Sequence, residues 1–490
     1  MSRVNYLSPI IFGIIFLISC NPEKENEPAI QVENEINEFV WGGLNSWYFY
    51  QGDVAELDDN YFENIDQRNT YLNTFDTPEE LFESLKHPND RFSYIVEDFD
   101  ELNQSQQGIS ESFGYDFGLI LLGNGEDILG YVQYVLPDSP ADRAGLERGD
   151  IFTEVNGQQL NRSNYIDLLF NNLSYTLSLA DIMDSEISPN GEEVTMTAEI
   201  ITENPVFLTK VIETNNSTRI GYLVYNSFRS TFHSELNTAF GQLSNQNIDE
   251  LVLDLRYNRG GFLYTAMHLS GMIYGQANND NIFARILYND KKSSLNIDLP
   301  FLTTVDVVDE EFNTVTTETM NRLNISRVFV LTSNLTASAS EAIINGLDPY
   351  MEVVMIGDVT TGKNEGSETL YDAPQSDFKN QEQANPTHKY AMQPITSRIS
   401  NVNDFTEYTD GFAPDIEVNE INFLENLPPL GDPAEPLLSV AIQEITGQPA
   451  RIAEKMSTPW AKLIDHSRQE DPLADVILLD GAYIRSSSGE

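Results

Sequence analysis

The sequence predicts a multidomain α/β protein with a small N-terminal helical domain, a strand-rich middle domain and an α/β core built on a largely parallel sheet. Three observations carry this. From Arg219 onward, strand-like and helical patterns alternate: Ile220–Tyr225, then Leu236, Ala239, Phe240 and Leu243, then Leu251–Leu255. That order places parallel strands beneath covering helices. Near the start, Ile36, Phe39, Val40, Leu44 and Trp47 recur at helical spacing. Between these regions the apolar run Ile151–Val155 ends in Asn156-Gly157, a strong hairpin signal. A length of 490 residues, 40% of them hydrophobic, suits about three packed domains.

The elements follow in order. Arg3 precedes the apolar run Ile10–Ile18, which ends in Leu17-Ile18-Ser19-Cys20. This run is too short to span a bilayer but suits the core of a signal peptide. A small residue before cysteine resembles the bacterial lipoprotein signal, which implies a leader over 1–20 and a lipidated Cys20. Asn21 in the next position resembles sorting to the outer membrane. Cys20 is the only cysteine, so the chain can form no internal disulfide. Residues 21–29 are polar and acidic and read as a tether.

A helical domain is expected over 30–111, where Thr77-Pro78-Glu79-Glu80 opens a helix running through Leu85 with Thr at the N-cap, Pro at N1 and Glu at N3. The middle domain covers 112–205, with Tyr165–Phe170 on a helix and Val194–Ile201 as a late strand. Asn171–Glu192 is long enough to suggest an insertion. The core spans 206–430, and a helical or irregular extension, opened by the amphipathic Leu437–Ile445, spans 431–490. Residues 450–490 carry little interpretable pattern.

Two segments carry chemistry. Thr336–Glu341 reads TASASE between the apolar runs Val328–Leu331 and Val353–Ile356, and the second run leads to Thr361-Gly362-Lys363. A serine at a helix N-terminus with a lysine after the next strand can form a Ser-Lys dyad without histidine. The lysine must then be neutral, which lowers its pKa from about 10.4 toward 7–8 and requires burial. The same serine also fits a capping box, Ser338-Ala339-Ser340-Glu341, whose only purpose would be to satisfy backbone N–H groups. Earlier, Leu251–Leu255 stops in Arg256-Tyr257-Asn258-Arg259-Gly260-Gly261. Paired glycines permit positive φ in an ordinary turn; they also let backbone N–H groups approach an oxyanion.

Together these segments resemble the C-terminal processing, or tail-specific, peptidase family, which carries a D-L-R-x-N-x-G-G turn, then S-A-S-E, then G-K. The resemblance implies Ser338 as nucleophile and Lys363 as general base. The oxyanion would be held by the N–H of Ala339 with one from Gly260 or Gly261. Asp138–Asp150, with Ser139-Pro140-Ala141 and Ala144-Gly145-Leu146 within it, resembles the heart of a PDZ domain. That implies a peptide-binding sheet edge and a carboxylate-capturing loop, placed at Phe117-Gly118-Leu119. The N-terminal helices and Asp90-Arg91-Phe92-Ser93-Tyr94 resemble the small helical domain that precedes PDZ in this family. Two positions depart from the pattern: Ser367 stands where the family usually has glutamine, and Asp348 comes one residue before the usual acidic position. No third catalytic residue is assigned.

Other readings fit less well. Gly357–Lys363 has the spacing of a phosphate-binding loop but is followed by Asn364 rather than Ser or Thr. His87, His233, His268, His388 and His466 are available for a Ser-His-Asp site, yet no G-x-S-x-G elbow exists, and His268 falls on an apolar helix. No H-E-x-x-H or cysteine cluster suggests zinc. A net charge of −50, from 77 acidic and 27 basic residues, repels nucleic-acid backbones and serves solubility. The expectation is therefore a serine endopeptidase of the cell envelope. It would be lipid-anchored, need neither metal nor organic cofactor, and act on exported proteins or peptides recruited by their C-terminal tails. The alternative is a catalytically silent PDZ lipoprotein that binds peptides or scaffolds envelope proteins.

Overall fold

Local signals set the first helices. α1 (Glu35–Trp47) begins at Asn34, whose side chain accepts the Ile36 N–H, and buries the expected stripe Phe39, Val40, Leu44 and Trp47. After α2 (Ile65–Leu72), α3 (Pro78–Ser84) starts as its sequence predicts: Thr77 accepts the Glu80 N–H at 3.2 Å and Pro78 occupies the first turn. The computed structural model describes residues 34–449, 461–467 and 477–479, apart from 124, 185, 310 and 311. The leader, the tether and Cys20 lie outside the described residues. No helix among the described residues is long and apolar enough to cross a membrane.

The middle domain is a twisted antiparallel sheet. In chain order it contains β1 (Tyr115–Leu122), β2 (Ile128–Val135), β3 (Ile151–Val155), α4 (Tyr165–Leu169), β4 (Ser174–Met183) and β5 (Glu186–Thr197). The strands pair in that order. Two expectations are corrected. Phe117-Gly118-Leu119 is not a loop but the interior of β1. Phe117 and Leu119 point into the domain core, while Ile120 packs on the opposite face. Gly118 is required by packing, because a Cβ there would lie 2.3 Å from the ring of Tyr131 on β2. The other correction concerns Asn171–Glu192, to which the sequence pattern assigns no elements. Most of it forms the β4–β5 hairpin, paired from Ser174↔Thr197 to Met183↔Glu186.

The core contributes β6 (Val206–Glu213), β7 (Arg219–Tyr225), α5 (His233–Asn245), β8 (Glu250–Asp254), β9 (Gly261–Phe262), α6 (Leu263–Ile273), β10 (Ile282–Tyr288) and β11 (Ile297–Pro300). It continues with β12 (Arg327–Thr332), α7 (Ala339–Leu347), β13 (Glu352–Gly357), β14 (Glu365–Ser367), β15 (Ile395–Ser400), β16 (Ile416–Glu417) and α8 (Pro436–Thr446). Two short strands follow, β17 (Ala461–His466) and β18 (Ile477–Leu478).

The central sheet has the order β6-β7-β8-β12-β13-β16. Every pair is parallel except the edge pair β6–β7. Its strands are buried on both faces: Leu251 and Leu253 of β8 join the large core with α1, α5, α6 and α7, whereas Val252 packs under α8. Double burial is why these strands read as unbroken apolar runs. The N-terminal helices share this core, since Phe39, Leu44 and Trp47 belong to the same cluster as Leu253 and Val330. The middle domain keeps a core of its own and is tied down by Arg148, which donates to Tyr257 Oη at 2.6 Å and to Glu420 at 2.7 Å. A second sheet, ordered β9-β18-β14-β15-β10-β11, lies beside the chemistry.

Candidate active site

The site lies where two strand ends of the central sheet meet. β12 leads through Ser333–Ala337 to Ser338, the N-cap of α7, and β13 leads through Gly357 to Lys363. Ser338 has φ 65° and ψ −117°, a region that costs a non-glycine residue about 1–3 kcal/mol. It is fully buried, and its hydroxyl makes no hydrogen bond. Of the expected capping box, the Glu341 arm is a full hydrogen bond, accepting the Ser338 N–H at 2.8 Å, while the serine oxygen has no partner within hydrogen-bond geometry. A strained, uncommitted hydroxyl at a helix start is poorly explained by capping.

Glu341 is the residue that the sequence reading missed as more than a cap. One carboxylate oxygen accepts the N–H groups of Ser338 and Lys363, both at 2.8 Å. The other accepts the Thr360 hydroxyl at 2.5 Å and the Gly362 N–H at 2.7 Å. The backbone nitrogens of Ser338 and Lys363 thus stand within two hydrogen-bond lengths of each other. Burial pushes the Glu341 carboxyl up to about 7, against the opposing pull of these four bonds. Asp348, by contrast, sits exposed at the far end of α7, so the buried acid at the site is Glu341. The S-x-x-E spacing was its only local signal.

Lys363 is completely buried, and its amine lies 4.5 Å from the ring centre of Phe92. Neighbouring Arg91 donates to the Gly362 carbonyl at 2.7 Å. The Asp90–Tyr94 run of the helical domain thereby forms one wall of the lysine's pocket, a role no local pattern announced. Ser367, at the position usual for glutamine, is buried on β14 with its hydroxyl unbonded.

The glycine turn is fastened to the serine helix by Asn258. Its carbonyl accepts the Ala337 N–H at 3.2 Å and the Ser340 hydroxyl at 3.0 Å, and its amide donates to the Tyr225 carbonyl. Its Oδ1 accepts the Gly260 N–H at 2.9 Å, so of the two expected glycine donors Gly260 is already engaged. Gly261 has φ 127°, and a Cβ there would sit 2.3 Å from the Phe228 carbonyl oxygen, so no side chain fits. Ala339 opens α7, where the first N–H groups have no acceptor within the helix.

The competing readings fail on geometry. Each N–H from Asp358 to Lys363 is bonded to a protein oxygen, including those of Thr332, Phe412, Thr336 and Glu341, leaving no cradle for phosphate. His268 is buried on α6 beside His233, which bonds Asp306 O and Thr265 Oγ1, both at 2.8 Å. Burial drives His233 down to about 4 and His268 below its usual value, so both are neutral core residues.

Comparisons with known proteins match three segments of the chain. Residues 219–418 match the model of peptidase family S41, 35–94 that of the peptidase S41 N-terminal domain, and 131–170 that of a PDZ domain. The carboxyl-terminal-processing protease of a Picosynechococcus species is 25% identical over 231 residues, covering 46% of this chain and 49% of that protein. The chloroplastic carboxyl-terminal-processing peptidase 3 of Arabidopsis thaliana is 24% identical, covering 50% of this chain and 45% of its own length. The chain thus spans about half the length of the curated relatives it matches. A crystal structure from Bacteroides fragilis, assigned to the S41 proteases, superposes with a TM-score of 0.64 at 27% identity, covering 86% of this chain and 99% of the other. With N-terminal, PDZ and catalytic segments matched in this order, the chain belongs to peptidase family S41.

Proposed function

We propose that the chain is a serine endopeptidase working through a Ser338–Lys363 dyad. The observation that carries this is the shared Glu341 oxygen, which fixes the nucleophile's backbone against the lysine's while leaving the serine hydroxyl uncommitted. Ser338 Oγ attacks the scissile carbonyl carbon as its proton passes to neutral Lys363 Nζ, and the carbonyl electrons move onto oxygen. The N–H groups of Ala339 and Gly261 hold that oxyanion. Collapse breaks the C–N bond, and Lys363 returns the proton to the leaving amine. Lys363 then takes a proton from water as the water oxygen attacks the acyl carbon, and returns it to Ser338 Oγ as the ester C–O bond breaks, which restores the free serine and the neutral amine. The mechanism requires a neutral amine, and complete burial of Lys363 is the setting it needs.

The signal-like start and Cys20 support an envelope-anchored enzyme acting on exported proteins or peptides, with the PDZ edge recruiting extended C-terminal segments. Mass spectrometry of tailed model peptides, together with labelling by a serine-directed fluorophosphonate, tests the reading. Cleavage and labelling that vanish in Ser338→Ala support it. Cleavage that survives in Ser338→Ala overturns the dyad, and absence of both signals in the native chain favours a peptide-binding scaffold.

A further inference from the structure

We propose that the chain carries its own occupant for the peptide track: the C-terminal segment containing Ile477–Leu479 fills, as an intramolecular inhibitor, the slot in which an extended apolar peptide would bind. This rests on the peptidase reading above.

The slot is defined by its two walls. β9 is the end of the glycine turn, starting at Gly261. β14 begins two residues after Lys363. β18 lies between them and pairs in parallel with both: Gly261 and Gly366 each face Ile477, and Phe262 and Ser367 each face Leu478. The Leu479 N–H continues the ladder to the Ser367 carbonyl at 3.1 Å. Without β18, β9 and β14 would present facing unpaired edges one strand apart. Such a gap accepts an extended peptide by backbone pairing on both sides.

The side chains complete the fit. Ile477, Leu478 and Leu479 are 0%, 3% and 6% exposed. Ile477 and Leu479 enter the main core, while Leu478 packs on Phe262. Gly366 makes room, since a Cβ there would lie 3.1 Å from Leu479 atoms. The pockets therefore select apolar residues at successive positions, which defines the ligand class.

The preceding segment engages the other peptide-binding edge. β17 pairs antiparallel with β1, from Ala461↔Leu122 to His466↔Gly118. Ser467 closes the ladder on Phe117, donating its N–H at 3.0 Å and accepting the Phe117 N–H at 3.2 Å. The Tyr165 phenol at the start of α4 bonds Asp465, and His466 contacts Arg259 of the glycine turn. Ala461–Ser467 thus covers the PDZ edge, and Ile477–Leu479 covers the slot beside Gly261. A substrate strand has to displace both contacts, and if the open form is a fraction f of molecules, apparent affinity falls by that fraction.

The test uses full-length protein and fluorescein-labelled, unfolded casein. Leu478→Asp places a charge in the slot, and it should raise Ser338-dependent cleavage at least tenfold, mainly through KM. A synthetic peptide of residues 473–483 should then inhibit that variant competitively. Hydrogen exchange on Ser338→Ala supplies a readout independent of the substitution: amides of Ile477–Leu479 should lose protection when saturating casein is added. Cleavage by folded Leu478→Asp that is no faster than the native rate overturns the proposal. If Leu478→Asp fails to fold, unchanged protection of those amides under casein overturns it instead. Absence of any Ser338-dependent cleavage in both the native chain and Leu478→Asp would overturn the peptidase reading, and the inhibition with it.

Discussion

Replacing Glu341 with glutamine should separate stability from activity, because the carboxylate that fixes the dyad is expensive to ionise. Its folded pKa of about 7 stands above the ordinary 4.5, with burial as the largest cause. At about 1.4 kcal/mol per pKa unit, this is about 3 kcal/mol in favour of the protonated form. The group's stabilising contribution is full below pH 4.5 and is lost as pH rises through 7. At pH 4.5 the protonated acid offers one O–H donor and acceptor capacity on both oxygens, whereas the amide offers two N–H donors and a single acceptor oxygen. Either one can keep an oxygen on Ser338 and Lys363 and turn a donor toward Thr360, but only the amide leaves the Gly362 N–H without an acceptor. The unpaired Gly362 N–H should therefore make Glu341→Gln about 1–3 kcal/mol less stable than the native protein at pH 4.5, and between pH 4.5 and pH 8 the variant should gain about 3 kcal/mol on the native chain. Activity should move the other way. Exchanging charge-assisted bonds on the dyad backbone for neutral ones costs about 1–2 kcal/mol in positioning, or about tenfold or more in kcat. Urea unfolding at the two pH values and a pH–rate profile read both effects. A stability difference that stays constant within 1 kcal/mol from pH 4.5 to 8 would refute the argument, because the four donors would then satisfy the carboxylate fully.

Lys363→Arg should be nearly as inactive as Ser338→Ala in peptide cleavage, since a guanidinium does not release its proton at working pH; retention of more than about a tenth of native turnover removes lysine as the base. Gly118→Ala forces a methyl against the buried Tyr131 ring at 2.3 Å and should cost about 1–3 kcal/mol in thermal or urea unfolding; an unchanged midpoint would show that β1 and β2 can separate freely. Cys20→Ser should shift the protein from membrane to soluble fractions, because several acyl chains at about 0.8 kcal/mol per CH₂ would be lost; unaltered fractionation removes the lipid anchor.

What the sequence determined by itself was whatever is written in short stretches of chain. Strands buried on both faces, such as Leu251–Leu255 and Val328–Leu331, must be continuous apolar runs, so the parallel core could be read directly. Thr77 and Pro78 marked a helix start because capping involves only neighbouring residues. The glycine turn and the TASASE run pointed to the peptidase family because positive φ and a helix start both need particular residues in consecutive positions. Tertiary structure decided the rest, since its partners are far apart in sequence. Glu341 looks like a cap until the chain returns with Thr360, Gly362 and Lys363. The PDZ resemblance puts Phe117-Gly118-Leu119 in a carboxylate loop, whereas the fold makes it strand interior with Tyr131 packed across Gly118. Phe92 reaches Lys363 from a different domain. Ile477-Leu478 forms a strand only because Gly261-Phe262 and Gly366-Ser367 present facing edges to it, and two residues are too few to show a periodicity, so their place was fixed by backbone hydrogen bonds that no local pattern encodes.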